Sequence, residues 1–188
     1  MRTAMLVVCA GLVCAAAAQE MTLQLDPAQT RVEYALGATM HTVHGTFRLK
    51  RGEMHFDPAS GKMSGEVVID ATTADSGNGS RDRRMHESVL ESAKFREITL
   101  TPDRFEGALN LQGDSQVQLH GMFGIHGSQH EVTIPVNVRI QQQRLDADTQ
   151  FPVPYQKWGM KNPSTFVLRV DDTVQVTIRA VGRLAPLQ

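Results

Sequence analysis

The sequence predicts an all-β fold with one helical segment, built either as a β-sandwich or as a closed antiparallel barrel. Apolar and polar residues alternate with period two in eleven short runs, which predict eight to ten strands, and turn signals such as Asp57-Pro58 separate them. A single stretch, at about residues 81–94, instead repeats apolar residues at helical spacing. Strict alternation places one face of each strand against a core or cavity and the other against water.

The strand segments follow one another along the chain at short, regular spacing. Each is a run of alternating apolar residues bounded by Pro, Gly, Asp or Asn turn signals. They occupy residues 23–25, 32–36, 43–49, 54–56 and 67–71 before the helical stretch, and 98–100, 109–111, 117–125, 132–140, 145–149 and 174–180 after it. The turn at Gly127-Ser128 separates two of the longest runs, which are therefore predicted to form a hairpin.

The helical segment is the one interruption of this pattern. Met85, Val89 and Ala93 fall at i, i+4 and i+8, which gives one narrow apolar stripe. Ser80 or Asp82 is expected to cap its start, because the first N–H groups of a helix require an oxygen acceptor. A lone helix of this kind either plugs or flanks a barrel or is an ordinary connection over a sheet edge, and the pattern leaves both open.

Residues 1–18 are predicted to be a signal peptide, so that residues 19–188 form a single domain. Met1-Arg2 supplies a positive start, residues 5–18 are apolar or small, and the run ends in three alanines that fit a cleavage site. The run is shorter than the roughly 20 apolar residues of a membrane span, so no transmembrane anchor is expected. The expected location is the periplasm, with secretion as the alternative.

Composition and missing motifs argue against several classes of function. Cys9 and Cys14 both lie in the leader, so the mature domain has no thiol nucleophile, disulfide or cysteine ligand. Charge is balanced, at 19 Lys+Arg against 20 Asp+Glu, which is not the pattern of a nucleic-acid-binding protein. The sequence has neither a G-x-S-x-G elbow nor an H-E-x-x-H pair. We therefore expect no catalytic residue, no cofactor and no nucleic-acid partner.

The seven histidines are the remaining candidates for metal chemistry. His41 and His44 are three apart, while His126 and His130 are four apart and could converge with His120. Residues three apart on a strand point to opposite faces, so the first pair could share a metal only through a turn. Histidines on a solvated strand face are the simpler interpretation, and no metal site is predicted; a histidine-dependent metal protein or enzyme remains the alternative.

Six short motifs occur in order along the mature chain. They are D-P-x-x-T-x-V at 26–32, V-x-G-x-F at 43–47, G-x-M-x-F-D-P at 52–58, the Arg81-Asp82 pair that starts the helical segment, I-H-G at 125–127, and W-G at 158–159 with N-P-S at 162–164. Together they resemble the YceI-like family of exported lipid-binding proteins. The chain departs from the family pattern at Arg96, where a proline usually follows the aromatic residue that ends the helix.

The resemblance implies an extended, lipocalin-like antiparallel β-barrel of about eight strands, with the helical segment near its mouth. It implies that an apolar tunnel binds a long polyisoprenoid or similar amphiphilic lipid for storage or transport, without catalysis. A homodimer is left open. The side chains expected to line the tunnel or its mouth are Val32, Tyr34, Phe47, Leu49, Ile69, Met85, Val89, Phe95, Leu100, Phe123, Ile125, Val136 and Trp158.

Two other classes of protein remain open at this point. A barrel whose interior is filled by side chains would act as an interaction or stress protein, and each tunnel residue would then be ordinary core. An enzyme on the same barrel would need convergent polar residues on the inner face.

Overall fold

A computed structural model, which describes residues 20–165 and 169–187, shows a closed antiparallel β-barrel. The predicted signal peptide, residues 1–18, lies outside the described residues. One helical segment consists of α1 (Gly79–Arg84) and a π-helical turn (Met85–Val89). The strands are β1 (Met21–Leu25), β2 (Arg31–Ala38), β3 (Thr42–Phe56), β4 (Met63–Asp75), β5 (Glu97–Glu106), β6 (Asp114–Ile125), β7 (Ser128–Gln141), β8 (Arg144–Val153) and β9 (Val170–Pro186).

Eight strands close the barrel, because each strand from β2 to β9 pairs with the next and β9 returns to β2. The remaining strand, β1, lies in line with β2 and fills the same gap between β3 and β9. Leu23 of β1 faces Met54 of β3 on one side and Leu184 of β9 on the other. The predicted all-β barrel of about eight strands with one helical segment is confirmed, and the sandwich alternative is wrong.

The structure corrects two of the strand predictions. Residues 43–49 and 54–56 belong to one long strand, β3, in which an irregularity between Leu49 and Arg51 restores the inward face. Residues 109–111, predicted as a strand, lie in the connection between β5 and β6. There the side chain of Asn110 accepts a hydrogen bond from the amide of Gln112 at 3.0 Å, and such a local turn competes with a β-ladder.

The helical segment begins at Gly79 rather than at residue 81, and its cap is neither Ser80 nor Asp82. The side-chain oxygen of Asn78 accepts the amide of Arg81 at 3.0 Å, which satisfies one of the orphan N–H groups of the first turn. The segment therefore starts two residues earlier than predicted.

The segment also ends at Val89, five residues before the predicted end. The amide of Leu90 bonds the carbonyl of Met85, as in a π-helical turn, and Glu91 adopts a left-handed conformation with φ of 46°. The amide of Ser92 then folds back to the carbonyl of His86 at 3.0 Å. This widened cap terminates the helix although Ala93 continues the apolar stripe.

The link between β1 and β2 explains the D-P-x-x-T motif. The carboxylate of Asp26 accepts the amide of Ala28 at 2.8 Å, and its carbonyl accepts the amide of Thr30 at 2.9 Å. Hydrogen bonds from the Gln29 side chain and the Ala28 amide lower the pKa of Asp26. The Thr30 hydroxyl accepts the amide of Val181 at 3.2 Å, so this side chain replaces a backbone partner for β9 where β1 passes into β2.

Candidate functional site

The inner face of the barrel is mostly apolar through its middle. Cross-strand partners share a face of the sheet. Val32 faces Phe47 on one side and Ile178 on the other, and Thr149 stands between Ile178 and Val136. Three of the predicted tunnel residues thus lie at one level inside the barrel.

A second level lies nearer the helical end. Phe123 faces Leu100 on β5 and His130 on β7, while Leu49 faces Ile69. The predicted tunnel residues that project inward from strands are Val32, Tyr34, Phe47, Leu49, Ile69, Leu100, Phe123, Ile125 and Val136.

The interior is filled at one end and leaves space along β9. Leu23, Met54 and Leu184 are buried at the end closed by β1. Ile134 on β7 is only 1% exposed. In contrast, four successive inward residues of β9 toward its other end are half-buried: Val174, Val176, Ile178 and Ala180. Because the wall is closed, half-buried side chains on its inner face border space within the barrel.

The mouth of this space is the end where the helical segment lies. In an up-and-down barrel alternate connections meet at one end, here 39–41, 76–96, 126–127 and the described part of the last connection, 154–165. Trp158, on the last of these, packs its ring 5.7 Å from Phe123 and stacks on His130 at 4.1 Å with a 5° angle between planes. Phe151 lies edge-on to Phe123 at 5.9 Å. An aromatic cluster therefore surrounds the inner end of this opening.

Tyr34 joins the barrel wall to the helical segment. Its ring lies across Gly45, where an added Cβ would stand 2.4 Å from the Tyr34 hydroxyl and 2.5 Å from the carbonyl oxygen of Asp75. This close approach accounts for the glycine of the V-x-G-x-F motif. The hydroxyl donates to the sulfur of Met85 at 3.3 Å, and burial raises the pKa of Tyr34 to about 12.

Met85 and Val89 are half-buried and pack against the core from the helical segment. His86, on the same segment, makes polar contacts. Its Nδ1 lies 2.8 Å from the Ser92 hydroxyl and its Nε2 lies 2.9 Å from the carbonyl oxygen of Ala74. The helical segment is thus held to the end of β4 by both its apolar and its polar side chains.

The I-H-G motif forms the two-residue turn between β6 and β7, at His126-Gly127 rather than the predicted Gly127-Ser128. Both residues have positive φ, 51° for His126 and 76° for Gly127, as a two-residue hairpin turn of this handedness requires. The ring of Phe95 lies directly over Gly127 and 4.4 Å from the imidazole of His126. Phe95 therefore packs on the turn at the rim.

Arg81 and Asp82 hold the loop before the helix. The guanidinium of Arg81 donates to the Ser76 hydroxyl at 2.7 Å and to its carbonyl at 2.8 Å, while Asp82 accepts from the amide of Ser76 at 2.9 Å and from its hydroxyl. Desolvation raises the pKa of Asp82, but the hydrogen bonds from Ser76 and the charge of Arg81 outweigh it and leave the pKa below its usual value.

The histidines do not converge. His126 Nε2 bonds Glu91 Oε2 at 2.6 Å, His120 faces outward beside Thr133, and His130 faces inward. Across residues 20–165 and 169–187, no group of three or more His, Cys, Asp or Glu side chains is placed to hold a metal ion. Glu91 was not predicted because it is 35 residues from His126. The inward position of His130 does follow from the alternation of residues 130–140.

The chain belongs to the YceI-like family, since the family model for the YceI-like domain matches residues 23–182. The departure at Arg96 leaves the local pairing intact, because its carbonyl accepts the amide of Ala71 at 2.9 Å. A search of curated proteins finds no match.

Solved structures share the fold. BcnA from Burkholderia cenocepacia is 19% identical with a TM-score of 0.69, covering 84% of this chain and 98% of its own. A polyisoprenoid binding domain from Saccharophagus degradans, implicated in plant cell wall breakdown, is 18% identical with a TM-score of 0.69 and covers 87% and 98% respectively. The YceI protein of Campylobacter jejuni is 15% identical with a TM-score of 0.60, over 80% of this chain and 88% of that one.

Proposed function

We propose that the barrel binds a long-chain polyisoprenoid or a similar amphiphilic lipid in its lumen, for storage or transport. The observation that carries this proposal is the half-buried apolar inner face of β9 in a closed wall. Each methylene moved from water into such a space contributes about 0.8 kcal/mol, so a long chain binds well with few polar contacts. The aromatic cluster of Phe123, Phe151 and Trp158 then contacts the part of the lipid nearest the mouth.

Family membership supports the same ligand class. The Saccharophagus degradans relative is described as a polyisoprenoid binding domain, and it shares the barrel over 87% of this chain. We extend that ligand class to this chain because the predicted tunnel residues on strands face the same interior. Binding without catalysis, and export by cleavage after residue 18 to give one domain of residues 19–188, belong to the same proposal. No helix within the described residues is long and apolar enough to cross a bilayer.

Lipid extraction from natively purified protein tests this directly. Mass spectrometry of the extract is expected to recover a stoichiometric long-chain isoprenoid or related lipid, and adding that lipid to stripped protein is expected to raise Tm. If no lipid co-purifies and no lipid raises Tm, the filled-core interaction protein is the better description.

A matched pair of variants locates the lipid. Phe123→Asp places a charge on the inner face and is expected to abolish retention, as is Phe47→Asp. Met122→Asp is the control, because the neighbouring Met122 is 39% exposed on the outer face. If Phe123→Asp and Met122→Asp lose bound lipid equally at matched Tm, luminal binding is contradicted. Chelators are expected to have no effect on lipid retention.

A further inference from the structure

One polar side chain on the inner face is left without a hydrogen bond. His130 Nε2 has no exposed surface and no hydrogen-bond partner among the described residues. Buried polar atoms are nearly always paired, because leaving one unpaired costs about 1–3 kcal/mol. An unpaired imidazole nitrogen on the wall of an apolar lumen therefore calls for a partner that enters the lumen.

His130 lies just inside the mouth of the barrel. It is the third residue of β7 after the His126-Gly127 turn, and it faces Phe123 across the ladder. Its ring is parallel to that of Trp158 at 4.1 Å. Trp158 is carried by the connection between β8 and β9 rather than by a strand, so a shift of the indole would uncover Nε2 without breaking the barrel wall.

His120 provides a comparison for the surroundings of His130. Its Nε2 is also buried and unpaired, yet it lies on the outer face, 3.3 Å from a carboxylate oxygen of Glu106 and with its Nδ1 3.0 Å from the Thr133 hydroxyl. The imidazole of His120 thus has polar neighbours on both sides. Within the described part of the chain His130 has ring contacts only, with Trp158.

We propose that His130 is the polar anchor of the binding site and bonds a neutral oxygen head group, a hydroxyl or a carbonyl, of the lipid. This inference rests on the proposed function and names the head group. An imidazole nitrogen accepts from a hydroxyl or donates to a carbonyl, according to its tautomer. The rings of Trp158, stacked on His130, and of Phe123, opposite it across the ladder, carry no charge, so burying a phosphate against them would be strongly unfavourable.

The test compares three ligands that share one chain: a long all-trans prenol, the hydrocarbon that lacks its hydroxyl, and the prenyl monophosphate. The variants are His130→Phe, which keeps a flat ring against Trp158, and His120→Phe as the control on the outer face. His130→Phe is expected to weaken prenol binding about fivefold to tenfold, the value of one hydrogen bond, and to leave the Kd of the hydrocarbon unchanged. His120→Phe is expected to change neither Kd.

Equal weakening of prenol and hydrocarbon by His130→Phe would overturn the proposal, because the side chain would then act only by packing. Tighter binding of the monophosphate than of the prenol, lost in His130→Phe, would overturn the neutral head group. If wild-type protein binds none of the three chains, the proposed function itself fails; hydrocarbon binding without a contribution from His130 removes only the anchor.

Discussion

Glu91 and His126 both have left-handed backbone conformations, with φ of 46° and 51°, and their side chains meet at 2.6 Å between Oε2 and Nε2. Such conformations are uncommon for residues other than glycine and are kept where surrounding contacts enforce them. One of the two residues ends the helical segment and the other forms the β6–β7 turn. The bond between them fastens the helical segment across the mouth of the barrel.

Glu91→Gln is expected to loosen this fastening with little effect on the barrel. The side chain of Glu91 is 40% exposed, so the loss in the free energy of unfolding should be only about 0.5–1 kcal/mol. Hydrogen exchange of residues 85–95, followed by mass spectrometry, should accelerate while exchange in β7 stays slow. Glu87→Gln is the control, because Glu87 is exposed on the same segment. Equal acceleration in both variants would show that the Glu91–His126 bond does not fasten the segment.

Gly127→Ala and Gly159→Ala separate backbone strain from packing. Both glycines have positive φ, 76° and 90°, so each alanine should destabilise the protein by about 1 kcal/mol through backbone strain. At Gly127 the new Cβ would also stand 2.5 Å from the Phe95 ring, whereas nothing lies within 4 Å at Gly159. Urea unfolding should show a clearly larger loss for Gly127→Ala. Equal losses would mean that Phe95 moves aside freely.

Alanine substitutions at two other glycines are expected to change the stability of the protein in opposite directions. Gly45→Ala should destabilise by about 2 kcal/mol or more, because the added methyl meets the Tyr34 ring and the backbone of β4. Gly79→Ala should stabilise by about 0.5–1 kcal/mol, since Gly79 lies in the first turn of α1 with open space around it. Thermal unfolding of the two variants checks both signs, and stabilisation by Gly45→Ala would contradict the close approach of Tyr34.

The hydrogen bonds of Asp82 should make its contribution to stability dependent on pH. Its pKa in the folded state lies below the ordinary value of 3.8, so the ionised form stabilises the fold above that pH and this contribution is lost as the pH falls below it. Asp82→Asn should cost about 2 kcal/mol at pH 7, because the bonds to Ser76 lose their charged acceptor.

The measurement is the difference in the free energy of unfolding between wild type and Asp82→Asn across pH 7 to pH 3. The difference should shrink below about pH 4, while the other carboxylates, present in both proteins, cancel. A difference that stays constant down to pH 3 would show that Asp82 acts by shape rather than by charge.

Much of the fold followed from the sequence because period-two alternation is a local property. It placed Phe47, Phe123 and Val136 on one face of their strands, and a closed barrel gave that face a common interior. The end of the helical segment did not follow. Its apolar stripe continues to Ala93, but Glu91 adopts a left-handed conformation and bonds His126, a partner 35 residues away that no local pattern indicates.

The site was predictable only in its apolar part. Apolar side chains fit an interior by size and hydrophobicity, which the pattern shows directly. Whether that interior is filled depends on how side chains from opposite walls meet, and the half-burial of Val174 and Val176 on β9 appears only in three dimensions. The polar neighbours that distinguish His130 from His120 likewise come from facing strands, which no local pattern specifies.

The hydrogen bonds between Thr30 and Val181 join residues 151 positions apart, at the seam where the first strands meet the last. Contacts of such long range form slowly, because the entropy of closing the loop must be met first. The seam therefore cannot close before β9 has been made and has reached β1 and β2. Until then β1 and β2 expose an open edge, and a molecular chaperone has that interval in which to bind it.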